Sequence, residues 1–141
     1  MNPFLNFNGN AEEAFNFYNS IFGGEFGDLQ RWKNMPGSER FPADDQNKIM
    51  HITLPIGNGN VLIAGDALAS RGQTMMVGDN FGISLDIESK EETDRIYNAL
   101  VKGGTPHAEM PIRDSFWGSY FGMLTDKFGV RWMVNYTYPK K

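Results

Sequence analysis

Residues 8–24 read NGNAEEAFNFYNSIFGG, and this stretch predicts the first helix of the chain. Asn10 is a favourable helix cap, and Glu13 has the spacing of a capping box, which satisfies two free backbone amides. Apolar residues recur every three or four positions and so share one helix face: Ala11, Ala14, Phe15, Tyr18, Ile21 and Phe22. Gly23 suits the backbone conformation that ends many helices. We therefore expect a helix over about residues 11–22.

A second stretch repeats this plan. Residues 89–104 read SKEETDRIYNALVKGG, with Ser89 as the cap and Glu92 at the position that completes the box. Its predicted buried stripe consists of Ile96, Tyr97, Leu100 and Val101. Two glycines again follow the helix. A unit that occurs twice in one chain indicates two stacked modules of similar structure.

Composition limits the classes of function. With 141 residues, of which 40% are hydrophobic, the chain can bury one domain-sized core or two half-size modules. A net charge of -4 with scattered basic residues argues against a nucleic acid or an anionic membrane as partner. The absence of cysteine excludes a disulfide framework, a thiolate metal site and a cysteine nucleophile. We recognise no signal peptide or membrane-spanning run, so we expect a cytoplasmic protein.

The first half of the chain is predicted to have one strand before its helix and three after it. These strands fall at about residues 3–8, 25–33, 48–55 and 61–64, with a surface loop at 35–47 and a tight turn at 57–60. In the third strand, Met50, Ile52 and Leu54 alternate with His51 and Thr53. One face of that strand is therefore expected to be apolar and the other to carry the histidine.

The second half follows the same order. Its strands are predicted at about residues 81–87, 105–112, 119–125 and 130–136, with turns at 113–118 and 126–129. Residues 65–79 are polar, small and glycine-containing, which is typical of a linker. The sequence therefore predicts an α+β fold of two βαβββ modules, the first at residues 1–64 and the second at residues 80–138.

Two motifs add a family resemblance. FNGNAEEA at residues 7–14 opens the first module, and TDKFGVRWM at residues 125–133 closes the second. Together with the repeated module, they resemble the glyoxalase/bleomycin-resistance (vicinal oxygen chelate) superfamily and, within it, the PhnB-like subgroup. The resemblance covers essentially the whole chain. It implies a cup-shaped mixed sheet with helices on the outer face, an internal cleft, and a homodimer that exchanges modules through a linker such as residues 65–79.

The resemblance also implies where a metal would bind. Metal enzymes of the superfamily carry four His or Glu ligands, and the corresponding positions here are Pro3, His51, Gly82 and Met133. Only His51 can coordinate, whereas a catalytic site needs about three protein ligands. We therefore expect no cofactor and no tightly held metal, with a divalent metal on other ligands as the alternative. The subgroup further implies ubiquinone methylation, but no glycine-rich cofactor loop joins a strand to a helix, so we do not expect that activity.

Three interpretations of His51 stay open. It is a hydrogen-bonded residue of the sheet surface, a ligand-binding or acid/base residue, or a metal ligand. His107 and Glu109 lie two residues apart on a predicted strand, which makes them a second candidate metal pair. Solvated strand faces often carry such pairs, so a structural role is the alternative for these two residues.

Ligand-binding residues are predicted in the second module. Asp114, Trp117 and Tyr120 surround a hairpin that the resemblance places over the cleft mouth. The two aromatic rings suit a small aromatic or amphipathic ligand, and core or dimer packing is the alternative.

The last strand carries further candidates. Arg131 and Met133 lie on the face opposite Trp132, and Arg131 is expected to pair with an anionic group of a ligand or with Asp86 or Ser84 across the sheet. Ser84 lies on the polar face of the strand predicted at residues 81–87 and is included among the ligand-binding residues.

These observations favour a dimeric protein that binds an unidentified small organic molecule in a cleft without a tightly held metal. The alternatives are a metal-assisted lyase, isomerase or dioxygenase, a metal-free enzyme that uses His51 with Arg131, and a subunit that only dimerises. The sequence decides neither the ligand nor whether the chain is catalytic.

Overall fold

The computed structural model describes residues 1–106 and 112–139, and the chain divides into two units, Met1–Met76 and Val77–Lys141. Both predicted long helices form over the predicted residues. Helix α1 spans Ala11–Phe22 in the first unit, and helix α3 spans Lys90–Val101 in the second. A short helix, α2, spans Ala43–Gln46.

The two long helices begin in different ways. The Ser89 hydroxyl oxygen accepts a hydrogen bond from the amide of Glu92 at 3.1 Å, as expected for α3. The Asn10 side chain makes no cap hydrogen bond, so the capping box predicted for α1 is wrong. Instead, Oδ1 of Asp66 accepts from the amides of Gly9 at 3.1 Å and Ala11 at 2.9 Å. A residue from a distant strand therefore caps α1.

The sheet of the first unit has four strands in the order β1-β4-β3-β2. Their bounds are Phe4–Phe7 for β1, Leu29–Arg31 for β2, Ile49–Gly57 for β3 and Asn60–Asp66 for β4. Strand β1 pairs in parallel with β4, whereas the other neighbours are antiparallel. Asn58 and Gly59 both have positive φ, at 55° and 76°, which is the conformation that a two-residue Asn-Gly hairpin turn requires.

The segment between β2 and β3 differs from the prediction. The expected strand at residues 25–33 is short, because a 3₁₀ turn at Trp32–Asn34 follows β2. The expected loop at residues 35–47 contains a further 3₁₀ turn at Ser38–Arg40 and then α2. Asp45 in α2 is buried and receives hydrogen bonds from Lys48 at 2.9 Å and from the Ser70 hydroxyl. This packing holds the segment in a defined conformation.

The second unit repeats the topology. Its path is β5-β9-β8-β6, with β7 also paired to β8. The bounds are Ile83–Asp86 for β5, Thr105–Pro106 for β6, Arg113–Asp114 for β7, Ser119–Thr125 for β8 and Arg131–Thr137 for β9. Strands β5 and β9 are parallel, as β1 and β4 are. The predicted duplication and the α+β fold are confirmed; of the strand predicted at 105–112, residues 107–111 lie outside the described ranges.

Each long helix packs on one face of the sheet in its own unit. In the first unit, Ile52, Leu54 and Leu62 are fully buried on the face that α1 covers. In the second unit, Trp132 and Val134 are fully buried on the face that α3 covers. We call the opposite face of each sheet its far face. Strand alternation places His51 on the far face of the first sheet and Met133 on that of the second.

The motif TDKFGVRW has a structural basis in the β8–β9 turn. Oδ1 of Asp126 accepts from the amides of Phe128 at 2.8 Å and Val130 at 3.0 Å, which fixes the turn. Its Oδ2 accepts from Nε1 of Trp132 at 2.9 Å, so the turn is tied to the core. At the other predicted boundary, β4 extends to Asp66, and Ala67 and Leu68 are buried. The start of the segment predicted as a linker is thus part of the first unit.

Candidate functional site

A histidine–carboxylate pair lies on the far face of the first sheet. Nδ1 of His51 is 2.9 Å from Oδ2 of Asp28. The side chains are 36% and 47% exposed, so both remain accessible to a small molecule. The hydrogen bond with His51, and then that from Gln30, holds the pKa of Asp28 below its ordinary value. Asp28 is therefore an ionised acceptor at neutral pH.

The backbone beside Thr53 positions Asp28. The amide of Asp28 donates to Oγ1 of Thr53 at 2.7 Å, and the amide of Thr53 donates to the carbonyl oxygen of Asp28 at 2.9 Å. A Cβ atom at Gly27 would lie 2.6 Å from Oγ1 of Thr53, a distance that real structures essentially never show. Glycine at this position therefore lets the chain approach β3 closely enough for Asp28 to reach His51.

Two amides extend this pair into a chain of hydrogen bonds. Gln30, which is the cross-strand partner of His51, donates from Nε2 to Oδ1 of Asp28 at 3.3 Å. Asn34 donates from Nδ2 to Oε1 of Gln30 at 3.4 Å. We call Asp28, Gln30, Asn34 and His51 the far-face polar cluster. It orients the imidazole ring from one side.

A cavity of about 380 Å³ opens on the same unit beside β1, β3 and β4. Apolar side chains and polar groups share its wall, as is common in small-molecule sites. The lining residues are Phe4, Asn6, Trp32, Met50, Gly65, Asp66, Ala67, Gly72, Gln73, Thr74 and Met75. We call it the first-unit pocket.

A strand irregularity brings Met50 into this pocket. The register between β2 and β3 shifts at Gln30 and Arg31, so that Arg31 pairs with Ile49. Ile49 is consequently buried, while Met50 is only partly buried and lines the pocket. A regular strand would have placed Met50 on the same face as Ile52, as the sequence predicted.

Hydrogen bonds hold the loop wall of the first-unit pocket. Asn8 donates from Nδ2 to the carbonyl oxygen of Met75, and the amide of Met75 donates back to Oδ1 of Asn8, both at 2.9 Å. Gln73 accepts from the amide of Leu68 at 3.0 Å through Oε1. The loop that contributes Met75 is thus held against the unit by its own polar contacts.

The far face of the second sheet carries most of the ligand-binding residues predicted from sequence. Ser84 is the cross-strand partner of Met133. The Trp117 ring is 5.4 Å from the ring of Phe121, which pairs with Asn135. The structure therefore brings Ser84 and Met133 together on this face and places Trp117 against Phe121.

Tyr120 lies elsewhere. Its hydroxyl donates to Oδ1 of Asp94 at 2.5 Å, and Nζ of Lys90 is 4.7 Å from its ring centroid. Burial, and then the Asp94 carboxylate, raise the pKa of Tyr120 to about 12. Because Asp94 and Lys90 belong to α3, Tyr120 is on the helix side of its sheet and is not grouped with Trp117. Of the neighbouring candidates, Asp114 receives the hydroxyl of Tyr138.

Arg131 lines a second cavity, of about 550 Å³, with Thr125, Gly129 and residues 77–79. Its guanidinium donates to the backbone carbonyl oxygen of Asp79. Asp86, the expected partner across the sheet, instead accepts from Asn135 at 3.1 Å. The charge of Arg131 is thus held by a neutral carbonyl group.

The residues at the family's metal positions do not fit a divalent ion. Pro3, Gly82 and Met133 offer no ligand that replaces His or Glu, so His51 alone could coordinate, which falls short of about three protein ligands. Within residues 1–106 and 112–139, no three side chains among His, Asp and Glu come together in a group that could hold a metal. The candidate pair of His107 and Glu109 lies outside these ranges.

Sequence reasoning identified His51 but missed Asp28 and the first-unit pocket. Residues 25–33 have poor strand periodicity, so nothing in the pattern indicated that Asp28 faces His51. In hindsight, Gly27 directly before Asp28 was the available signal, since it permits close backbone approach.

The chain matches known proteins over nearly its full length. Residues 1–135 match the model of the 3-demethylubiquinone-9 3-methyltransferase family. The protein PA1353 from Pseudomonas aeruginosa is 38% identical with a TM-score of 0.83, over 97% of this chain and 96% of that one. A PhnB protein from Bacillus cereus is 29% identical with a TM-score of 0.70, over 97% and 98%. A glyoxalase/bleomycin resistance protein from Albidiferax ferrireducens T118 shares the fold at 16% identity, with a TM-score of 0.61 and 97% of each chain covered.

None of the helices in the described ranges combines the length and the apolar character that crossing a bilayer requires.

Proposed function

The chain belongs to the 3-demethylubiquinone-9 3-methyltransferase family, in the PhnB-like subgroup of the glyoxalase/bleomycin-resistance proteins. From that premise we propose that it binds a small organic molecule without a tightly held metal. The observation that carries the proposal is the first-unit pocket. Its volume of about 380 Å³ is within the range of about 300–1,000 Å³ that is common for small-molecule sites.

The pocket wall supports a ligand with both apolar and polar parts. Phe4, Trp32 and Met50 supply aromatic and thioether surface, and Phe4 is 51% exposed, so it has apolar area to give up on binding. Asn6 and Gln73 supply amide groups along the same wall. A small amphipathic or aromatic metabolite matches this distribution.

The donor chemistry supports binding without a tightly held metal. A catalytic divalent ion needs about three protein ligands, and the family's positions supply one, the imidazole of His51. Methyl transfer, the activity in the family's name, is not part of the proposal. The turn between β1 and α1 contains Gly9 as its one glycine, and residues 87–89 before α3 contain none, so neither turn offers a glycine-rich cofactor loop.

The binding proposal is tested by a thermal-shift screen with aromatic and amphipathic metabolites. A ligand that binds only the folded chain raises the melting temperature in step with saturation. For any hit, Phe4→Ala is expected to weaken affinity about tenfold, since part of one aromatic ring is lost from the contact. Phe81→Ala is the matched control, because Phe81 is 64% exposed and does not line the pocket. Equal weakening by both variants would contradict the assignment of the pocket.

Elemental analysis of the purified protein tests the metal-free part. Zinc, nickel, manganese or iron at one equivalent per chain would contradict it.

We extend the proposal to a homodimer, which the family resemblance implies. Phe116 and Trp117 are 97% and 49% exposed, and their rings, 4.9 Å apart, form apolar surface that a second copy would cover. Sedimentation velocity should give the mass of two chains. A monomer at micromolar concentration would refute this extension and leave the binding proposal unaffected.

A further inference from the structure

Two Asn-Gly dipeptides occur in the sequence, Asn8-Gly9 and Asn58-Gly59. In this dipeptide the backbone amide after the asparagine can attack the side-chain amide with little obstruction, because glycine has no Cβ atom. Both asparagines are exposed, so access to solvent does not distinguish the two sites. Their hydrogen bonds do distinguish them.

The first dipeptide is held by three hydrogen bonds. Asn8 donates from Nδ2 to the carbonyl oxygen of Met75 and accepts from the Met75 amide through Oδ1, both at 2.9 Å. The amide of Gly9, which would be the attacking group, donates to Oδ1 of Asp66 at 3.1 Å. A Cβ atom at Gly9 would lie 3.2 Å from Cε of Lys48, so a side chain also packs against the backbone here. Attack at Asn8 therefore requires all three hydrogen bonds to break.

The second dipeptide forms the hairpin turn between β3 and β4. Asn58 and Gly59 are both exposed, and a Cβ atom at Gly59 would meet nothing within 4 Å. In the part of the chain that the structure describes, neither the Asn58 side chain nor the Gly59 amide takes part in a hydrogen bond. Cross-strand pairing resumes at Gly57 and Asn60. Both reacting groups are thus free of partners within the turn.

We propose that Asn58 is a site of spontaneous modification, at which the side-chain amide is lost and aspartate and isoaspartate are formed through a cyclic imide. The co-reactant is water, and neither an enzyme nor a metal is required. The inference is independent of the proposed function, because it involves no ligand.

The reaction is balanced in two steps. The backbone nitrogen of Gly59 forms a bond to Cγ of Asn58, while the bond between Cγ and Nδ2 breaks. Its electron pair leaves with the side-chain nitrogen, which takes up the proton that Gly59 loses and departs as ammonia. Water then opens the imide ring at one of its two carbonyl groups, and the product is aspartate or isoaspartate. No atom is oxidised or reduced.

Peptide mapping by mass spectrometry tests the proposal on the full chain, incubated at physiological temperature in mildly alkaline buffer. Each product carries a hydroxyl group in place of the amino group of the amide, and the aspartyl and isoaspartyl peptides elute separately. Asn58 should be modified at least about tenfold faster than Asn8, because three hydrogen bonds protect Asn8. Equal rates, or modification confined to Asn8, would overturn the proposal.

The same incubation in concentrated urea is the matched control. Unfolding removes the contacts of Asn8, so the two sites should then react at similar rates. A difference that persists in urea would overturn the role of the hydrogen bonds. Modification of Asn58 in urea but not in the folded chain would show that the turn protects it, and that result would overturn the proposal.

The location of the site predicts a consequence for the first unit. Isoaspartate adds one atom to the backbone of a two-residue turn, and the turn sets the register of the strands that carry Met50 and Gly65 of the first-unit pocket. Incubation should therefore lower the urea midpoint of the wild type. Asn58→Gly should keep its midpoint, because glycine has no side-chain amide and suits positive φ. A wild-type midpoint that stays constant despite extensive modification would overturn this consequence.

Discussion

Asp66 joins three elements of the first unit, and its removal should destabilise that unit strongly. The side chain is 5% exposed, and its carboxylate accepts from the amides of Gly9 at 3.1 Å, Ala11 at 2.9 Å and Ile49 at 2.8 Å. Burial raises the pKa of Asp66, and the three amides act in the opposite direction. The carboxylate thus ties the start of α1 and the start of β3 to the end of β4.

The size of the effect follows from these three contacts. A buried donor left without a partner costs about 1–3 kcal/mol, so Asp66→Ala should lose roughly 3–5 kcal/mol, allowing for the recovered cost of burying a charge. This is a large share of the 5–15 kcal/mol that is typical of a folded domain. The free energy of unfolding of Asp66→Asn should lie between those of the wild type and Asp66→Ala. The asparagine side chain keeps one acceptor oxygen, but its NH₂ group would face a backbone amide that also donates.

Urea unfolding followed by far-UV circular dichroism measures the free energy of unfolding of each variant. The matched control is Asp86→Ala, which removes an exposed aspartate with one hydrogen bond from Asn135 and should cost less than about 1 kcal/mol. An Asp66→Ala protein within 1 kcal/mol of the wild type would refute the reasoning that Asp66 caps α1.

Two further predictions concern acid stability and the backbone at Gly27. Hydrogen bonds from Ser70 and then Lys48 hold the pKa of Asp45 below its ordinary value, so this stabilisation is present above the unfolded pKa and is lost as pH falls through the folded pKa. As the pH is lowered from 5 to 2, the urea midpoint of unfolding should therefore fall less in Asp45→Asn than in the wild type. Equal falls in the two proteins would contradict this. Gly27→Ala would put a Cβ atom 2.6 Å from Oγ1 of Thr53, so imidazole NMR should report a loosened histidine–carboxylate contact, and an unchanged spectrum would argue against it.

Local patterns were sufficient to predict the helices and the repeated topology. The apolar spacing predicted the buried faces of α1 and α3, because each helix packs one apolar stripe against its sheet. The Asn58-Gly59 turn was also readable, since few residue pairs adopt positive φ at both positions. These features depend on neighbours within a few residues in the sequence.

Long-range contacts explain what the sequence did not disclose. Asp66 caps α1 from 55 residues away in place of Asn10, because the end of β4 runs beside the helix start. The register shift at Arg31 turns Met50 into the pocket, and cross-strand register cannot be read from either strand alone. Tyr120 follows strand alternation to the helix side, where Asp94 meets it.

In the candidate site too, local patterns predicted one residue and long-range contacts decided the other. His51 was found because it stands on the polar face of a clearly alternating strand. Asp28 was not, because its position depends on how Gly27 and Thr53 bring two backbones together. The strand face of a residue can thus be predicted from the local sequence, whereas its hydrogen-bond partner depends on the fold of the whole unit.

The most direct test of the central claim is amide chemical-shift mapping of the protein during titration with a metabolite hit from the thermal-shift screen. If the first-unit pocket binds the metabolite without a metal, saturable shifts are expected at Met50, Gly65 and Met75 in samples treated with a metal chelator. Shifts confined to other parts of the chain, or a response that appears only when a divalent metal is restored, would contradict it.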